Sequence, residues 1–346
     1  MSTAGRAEAV FDYVRRNMQW NGRGGTRPTA LNADLWKNKT GSWADISLLL
    51  ISALRSVDIR AFPMAVGSRN NIKMNEEYPI LDDYVGLDVV AVLDDDSKVV
   101  LDPSDKYLPF GEADIEQLNT QGLIFLDPDR HIWLPIEDKL DNTKKITIQA
   151  TFDESGKVSG TMRMVYSNHS GEYMLKSRKA DNQAAVTEYL KREIPTATVE
   201  SVSDSTAGFS FIYKVRFSAQ AVTDNDGNVY ISMSNVYGEV TNPFINKERK
   251  ADVEFGYKTK TDVTMLIQLP DGYTADPVPA AASIGMKDTS ATFVSDAQVR
   301  ERTVTLHQQL DYRRSTYRVA DYPAFFDFEK KYYDLRQKPV VIRKKS

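Results

Sequence analysis

The stretch that decides the fold is Gly41-Ser42-Trp43-Ala44-Asp45-Ile46-Ser47-Leu48-Leu49-Leu50. From Trp43 to Val57, apolar residues fall on nearly every side: Ile46, Leu48, Leu49, Leu50, Ile51, Ala53 and Leu54. A helix that is hydrophobic all round belongs inside a domain, not on its surface. Ser42 is placed to cap it through its hydroxyl, and Asp45 in the first turn suits the positive end of the helix dipole. Trp43 stands at that same turn, and an indole offers no nucleophile.

Outward from this helix, residues 5–19 put Ala7, Val10, Phe11, Val14 and Met18 on one helical face, with Arg6, Glu8, Asp12, Arg15 and Arg16 off it. A Gly-rich turn from Asn21 to Gly25 follows, and Thr29 is expected to cap a short helix through Trp36. On the other side come strand-like runs at Ala61–Val66, Leu87–Leu93 and Val99–Leu101. The last two are joined by the polar turn Asp94-Asp95-Asp96-Ser97. Runs at Leu123–Leu126 and Ile132–Ile136 close a first domain, 1–137. Helices first and an antiparallel sheet after is an α+β order.

Past residue 138 the rhythm changes. Ile146–Phe152 and Val158–Val165 flank Glu154-Ser155-Gly156 as a hairpin, and β-type runs recur at Val199–Val202, Phe209–Phe217, Val229–Met233, Val263–Leu269, Ala291–Phe293 and Arg302–Leu310. Many strands with Gly, Pro and Asn punctuation predict an antiparallel β-sandwich over 138–346. Two helices interrupt it. One covers about Gln183–Arg192; the other starts after Asp321 with Pro323 in its first turn and gathers Phe325, Phe326, Phe328, Tyr332 and Tyr333.

At 346 residues the chain has room for two cores, and it contains no cysteine, which removes disulfides, thiolate metal sites and thiol catalysis. His131, His169 and His307 lack ligand-like spacing, so no zinc site and no cofactor are expected. Residues 1–137 carry 14 Lys and Arg against 21 Asp and Glu, and the remainder 30 against 27. An acidic front half argues against nucleic-acid binding. No apolar run reaches the ~18 residues that span a bilayer, and the tail Arg343-Lys344-Lys345 reads as a solvated end.

Several stretches resemble one bacterial family, in which a transglutaminase-like, papain-like domain lies between two β-rich domains of unassigned function. They are Val10–Val14 with Gln19-Trp20-Asn21-Gly22, then Leu35–Gly41, Leu54–Ala61 with Ser68-Arg69, and Val100–Asp105 with Leu108-Pro109-Phe110-Gly111. In the second domain Asn242-Pro243-Phe244, Arg249, Phe255-Gly256-Tyr257 and Leu269–Tyr273 are similar to the family's C-terminal β domain. The family's front β domain would precede Met1. The resemblance implies a Cys-His-Asp triad, whose thiolate attacks a carbonyl while the imidazole shuttles the proton. In this alignment Trp43 takes the cysteine position, Asp88 the histidine position and Asp102 the aspartate position. Two of three members are replaced.

The expectation is a pseudoenzyme whose former cleft, with Trp20, Trp43, Asp45, Asp88 and Asp102 as candidate lining residues, binds a peptide, glycan or protein partner. A place in the periplasm or cell envelope is implied by the resemblance, and a monomer is expected. The alternative is a hydrolase using Asp88 and Asp102, with Asp45 as a possible third carboxylate. Trp43 itself reads first as an apolar plug and second as a stacking platform. Ser42 as a substitute nucleophile lacks a neighbouring imidazole. Asp94-Asp95-Asp96 is more simply a solvated hairpin tip than a calcium loop. Trp20, Trp36, Tyr84 and Tyr107 either line one aromatic groove for a peptide or sugar or pack in the core and linkers.

Overall fold

The computed structural model describes residues 1–71, 77–176, 182–193, 196–221, 223–232 and 241–345. The chain is mixed α+β and strand-rich, with several sheets, and separates into two compact units, Met1–Lys139 and Leu140–Ser346.

In the first unit α1 (Thr3–Asn17) buries Ala7, Phe11 and Val14, the face the spacing predicts. Strand β1 (Gln19–Trp20) leads toward α2 (Asn32–Asn38), and β2 (Thr40–Gly41) pairs with β1 in parallel. The central helix α3 (Trp43–Arg55) is capped by Ser42, and its apolar sides are buried. Strands β3 (Ala61–Val66), β4 (Gly86–Val92), β5 (Lys98–Leu101), β6 (Thr120–Phe125) and β7 (His131–Ile136) form one sheet in the order β5-β4-β3-β6-β7. All its pairs are antiparallel. Ile46, Leu50 and Leu54 of α3 share a core with Phe11 and Val14 of α1 and with Val89, Ala91 and Leu101 of the sheet. The core thus grips α3 along its length and fixes where its first turn points.

One expected detail changes. Thr29 does not cap α2, whose N-cap is Leu31 without a side-chain bond. The Thr29 hydroxyl donates instead to Asp45, 2.7 Å away.

In the second unit β8 (Thr143–Phe152) and β9 (Lys157–Ser167) form the expected hairpin, with Gly156 at φ +81°. Helices α4 (His169–Lys176) and α5 (Asn182–Glu193) follow, and then β10 (Thr198–Ala207), β11 (Ser210–Gln220) and β12 (Val229–Ile231). The expected Val229–Met233 run ends at Met233, outside the described residues. Next come β13 (Val253–Glu254), β14 (Thr259–Gln268), β15 (Tyr273–Ala275), β16 (Ala282–Gly285), β17 (Ala291–Arg300), β18 (Thr303–Tyr312) and β19 (Thr316–Tyr317). Helix α6 (Tyr322–Arg336) and β20 (Val340–Lys344) complete it.

The main sheet has eight strands in the order β10-β11-β9-β8-β14-β18-β17-β16. The antiparallel expectation fails at one place, because β8 and β14 run parallel. The hairpin signal that predicts β8–β9 says nothing of β14, which arrives after more than a hundred residues. One core joins this sheet to α5 and to a three-stranded sheet, β12-β20-β15, through Leu190, Val229, Ala275, Val340 and Ile342. A second packs Phe325, Phe328 and Tyr332 of α6 on Phe293, Tyr312 and Tyr317. The basic tail is solvated as expected, with Arg343, Lys344 and Lys345 exposed, but it is not loose: Arg343 and Lys344 lie in β20, which buries Val340 and Ile342, and Arg343 pairs with Asp276.

Candidate functional site

Helix α3 begins against the sheet, and its first turn carries the site. Ser42 Oγ accepts from the Asp45 N–H (3.2 Å) while an Asp45 carboxylate oxygen accepts from the Ser42 N–H (2.9 Å), a reciprocal capping box. Asp45 also accepts from the Thr29 and Ala30 backbone N–H groups at 2.6 and 3.0 Å and from the Thr29 hydroxyl. Burial alone raises its pKa, but these bonds to Ser42 and Thr29 outweigh it and hold the carboxyl at about 2. Asp45 is a permanent anion tying the loop before α2 to the start of α3. It has no role left for acid–base work.

Trp43 is half-buried. Its indole Nε1–H donates to Asp88 Oδ1 at 3.1 Å. Its ring lies flat against Gly86, where a Cβ would stand 2.4 Å from Cε3. Only glycine admits the indole there. The backbone N–H of Trp43 donates to the Arg23 carbonyl at 3.0 Å, and the same carbonyl accepts from Trp20 Nε1 at 2.9 Å. The two tryptophans are thus coupled through one main-chain oxygen, although Trp20 itself is exposed. The Gly-rich turn reaches this place because Gly25 N–H donates to Val85 O, just before β4.

Asp88 lies inside β4, fully buried. Pairing of Val89 with Leu101 brings its neighbour Asp102, which follows β5, alongside. Burial pushes Asp88 well above the ordinary carboxylate range, and the Asp102 charge pushes it further; the amide of Gln117 pulls weakly the other way. Gln117 is itself buried, and neither of its polar atoms nor Asp88 Oδ2 reaches a fully formed hydrogen bond. Asp102 is raised to about 7, chiefly by burial, against the two bonds it accepts from Ser104 N–H (2.8 Å) and Oγ–H (2.6 Å). Two carboxyls crowded into low dielectric favour holding a proton.

The structure therefore joins Trp43, Asp88 and Asp102, adds Gly86 and Gln117, and leaves Asp45 to its cap. Gln117 sits in an unpatterned acidic turn, and nothing local in the sequence marks it. Of the two readings of the aromatic residues, packing fits Tyr84 and Trp36 and the groove does not assemble. Tyr84 is buried with Ala65 and Leu123, Trp36 packs on Tyr13 at 5.8 Å, and Tyr107 is exposed. In the Asp94–Asp96 turn each acid faces its own partner: Thr3, Ser97 and Arg60. Among the described residues no helix is long and apolar enough to cross a membrane.

Residues 227–342 match the family described as a domain of unknown function with a solved structure, DUF3858. No curated protein matches the chain. Among solved structures the chain is similar to a protease candidate from Parabacteroides distasonis ATCC 8503, with a TM-score of 0.51 at 10% identity. The alignment covers 99% of this chain and 52% of that one, so the chain spans about half the length of the solved structure. At that identity the likeness concerns the fold alone.

Proposed function

We propose that the first unit is a transglutaminase-like, papain-like domain in which the catalytic constellation has become a fixed structural contact, and that the protein acts by binding or scaffolding. The carrying observation is the Trp43 Nε1–Asp88 Oδ1 bond of 3.1 Å. It links the two positions that the resemblance gives to the nucleophile and the base, with Asp102 beside them. An indole can neither attack a carbonyl nor accept a proton, and the base position holds a carboxyl whose pKa burial pushes well above the ordinary carboxylate range. The partner is a peptide, glycan or protein, met at the loops around Trp20 and Arg23, and the resemblance carries with it a place in the bacterial envelope. That the fold neighbour is described as a protease candidate concerns a protein whose chain is about twice as long.

A second reading rests on one observation: Asp102 at about 7 has the acidity a general acid needs near neutral pH. Against it, Asp88 is fully and Asp102 almost fully buried, so substrate has no access to either. Purified protein is to be assayed for amide hydrolysis, deamidation, cross-linking and glycoside hydrolysis, alongside Asp102→Asn. The proposal expects rates indistinguishable from buffer for both. Turnover by the wild type that Asp102→Asn abolishes establishes the hydrolase instead. Immobilised peptide and glycan panels, screened with wild type and Trp43→Phe, test whether the indole edge takes part in recognition.

A further inference from the structure

The outer face of four strands of the main sheet forms a trough that the first unit's chemistry does not involve. Two adjoining hollows of about 420 and 580 Å³ share Gln149, Thr161 and Arg216. Strand register arranges the floor in rows. Thr147 faces Arg163, Arg163 faces Lys214, and Lys214 faces Ser203. In the next row Gln149 faces Thr161, Thr161 faces Arg216, and Arg216 faces Ser201. The alternate residues, Ile148, Met162, Met164 and Val215, point into the core, so the face is polar by strand periodicity.

Its charge is unusual. Arg163 and Lys214 stand directly opposite each other, and Arg216 is two residues along the same strand. Among the described residues none of the three takes part in an ion pair. Like charges directly across a strand pair destabilise the sheet, and a bound anion relieves that repulsion. Hydroxyl and amide groups flank the cations, and Lys157 and one carboxylate, Glu200, line the second hollow. No aromatic ring lines the first, while Phe217 at the second is buried in the core. Base stacking, the usual means of holding single-stranded nucleic acid, therefore has no platform there. Hydroxyls and amides beside guanidinium and ammonium groups match a chain that carries both hydroxyls and carboxylates.

We infer that the trough over β8, β9, β11 and β10, built on Arg163, Lys214 and Arg216, is a binding site for an acidic polysaccharide. Carboxylates pair with the three cations, and Thr147, Gln149, Thr161, Ser201 and Ser203 hydrogen-bond to sugar hydroxyls. Neighbouring strands about 4.8 Å apart make the four-strand floor about 15 Å across, wide enough for one extended saccharide chain.

The test is titration of the full chain with polygalacturonate at low and high salt, with dextran, poly-glutamate and single-stranded DNA as comparisons. The triple variant Arg163→Ser, Lys214→Ser, Arg216→Ser is run in parallel, with circular dichroism and melting as fold controls. Polygalacturonate is expected to bind the wild type, weaken with salt, and bind the triple variant at least tenfold less, while dextran fails to bind. Melting of the triple variant should stay level or rise, because the like-charge pair is gone. Equal binding by wild type and triple variant, or none by the wild type, overturns the proposal. Equal affinity for poly-glutamate or DNA overturns the ligand class. Should the triple variant fail to fold, Lys214→Gln alone is expected to weaken binding several-fold, and unchanged affinity counts against the site.

Discussion

A methyl group at residue 86 would meet the Trp43 ring at three atoms, the nearest 2.4 Å away. Side-chain atoms do not coexist at that distance, so Gly86→Ala must push the indole off the strand and break its bond to Asp88. Overpacking of this kind costs about 1–3 kcal/mol. Trp43→Ala alone removes the ring and leaves Asp88 Oδ1 without a donor, for about 3 kcal/mol at a half-buried site. The two changes share one contact, so the double variant should be more stable than additivity predicts by about 1 kcal/mol or more. Urea denaturation of the four proteins measures this. Strict additivity would mean that the ring does not lie on Gly86 in solution. Neither the packing nor its partner was readable from residue 86 alone, since a glycine before a strand has many explanations. Trp43 at the helix start was readable, and the resemblance supplied Asp88 and Asp102 as its companions. Gln117 was missed because a lone amide in a turn has no pattern.

At the scale of elements, helix α3 was the clearest feature in the sequence because an apolar run flanked by Ser and Asp has few other homes. What the sequence hid was the acceptor's full use. Asp45 serves its own helix through Ser42 and also a loop sixteen residues earlier, through Thr29 and Ala30. That second attachment is non-local, which is why Thr29 reads as a helix cap. Asp45→Ala leaves the Ser42 cap but removes its reciprocal half and strands the backbone N–H groups of Ser42, Thr29 and Ala30, and should cost about 3 kcal/mol. Asp45→Asn, which keeps one acceptor oxygen, should recover part of that. A loss under 0.5 kcal/mol in urea titrations would show that the loop is not held by this carboxylate. Strand β20 was hidden for a different reason. Its Arg343 and Lys344 drew attention to charge, while the alternating Val340 and Ile342 that bury it were too few to register as a period. The parallel neighbourhood of β8 and β14 is a tertiary choice between distant strands, and local turn chemistry carries no information on it.

For the whole molecule, the ionisable groups of the two units set a common pH dependence. Burial raises Asp88, Asp102 and Glu329, the last to about 7 within the aromatic core, where it accepts a 2.6 Å bond from the Tyr312 hydroxyl. A carboxyl whose folded pKa is raised binds protons more tightly in the native state. For Asp102 and Glu329 the resulting contribution to stability is full below about pH 4 and is lost as pH climbs through about 7, and Asp88 acts in the same sense. Asp45, lowered to about 2, acts the other way and loses its contribution only as pH falls below 4 toward 2. Stability should therefore peak near pH 4–5 and decline toward pH 8. For Glu329 a rise from 4.5 to about 7 corresponds to roughly 3 kcal/mol. Gln at 329 and Asn at 88 each keep an acceptor oxygen but cannot ionise, so each should flatten the decline without altering stability at pH 4.5. The two effects separate spectroscopically, because all four tryptophans (Trp20, Trp36, Trp43 and Trp133) lie in the first unit. Asp88→Asn should move the tryptophan-reported transition upward at pH 8 by about 1 kcal/mol or more, the scale of one pKa unit. Glu329→Gln should leave that signal in place and shift the transition seen by tyrosine emission and circular dichroism. If both variants follow the wild type from pH 4.5 to 8, the buried carboxyls ionise without cost. The protonated Asp88 that holds the indole is then not the form present at neutral pH.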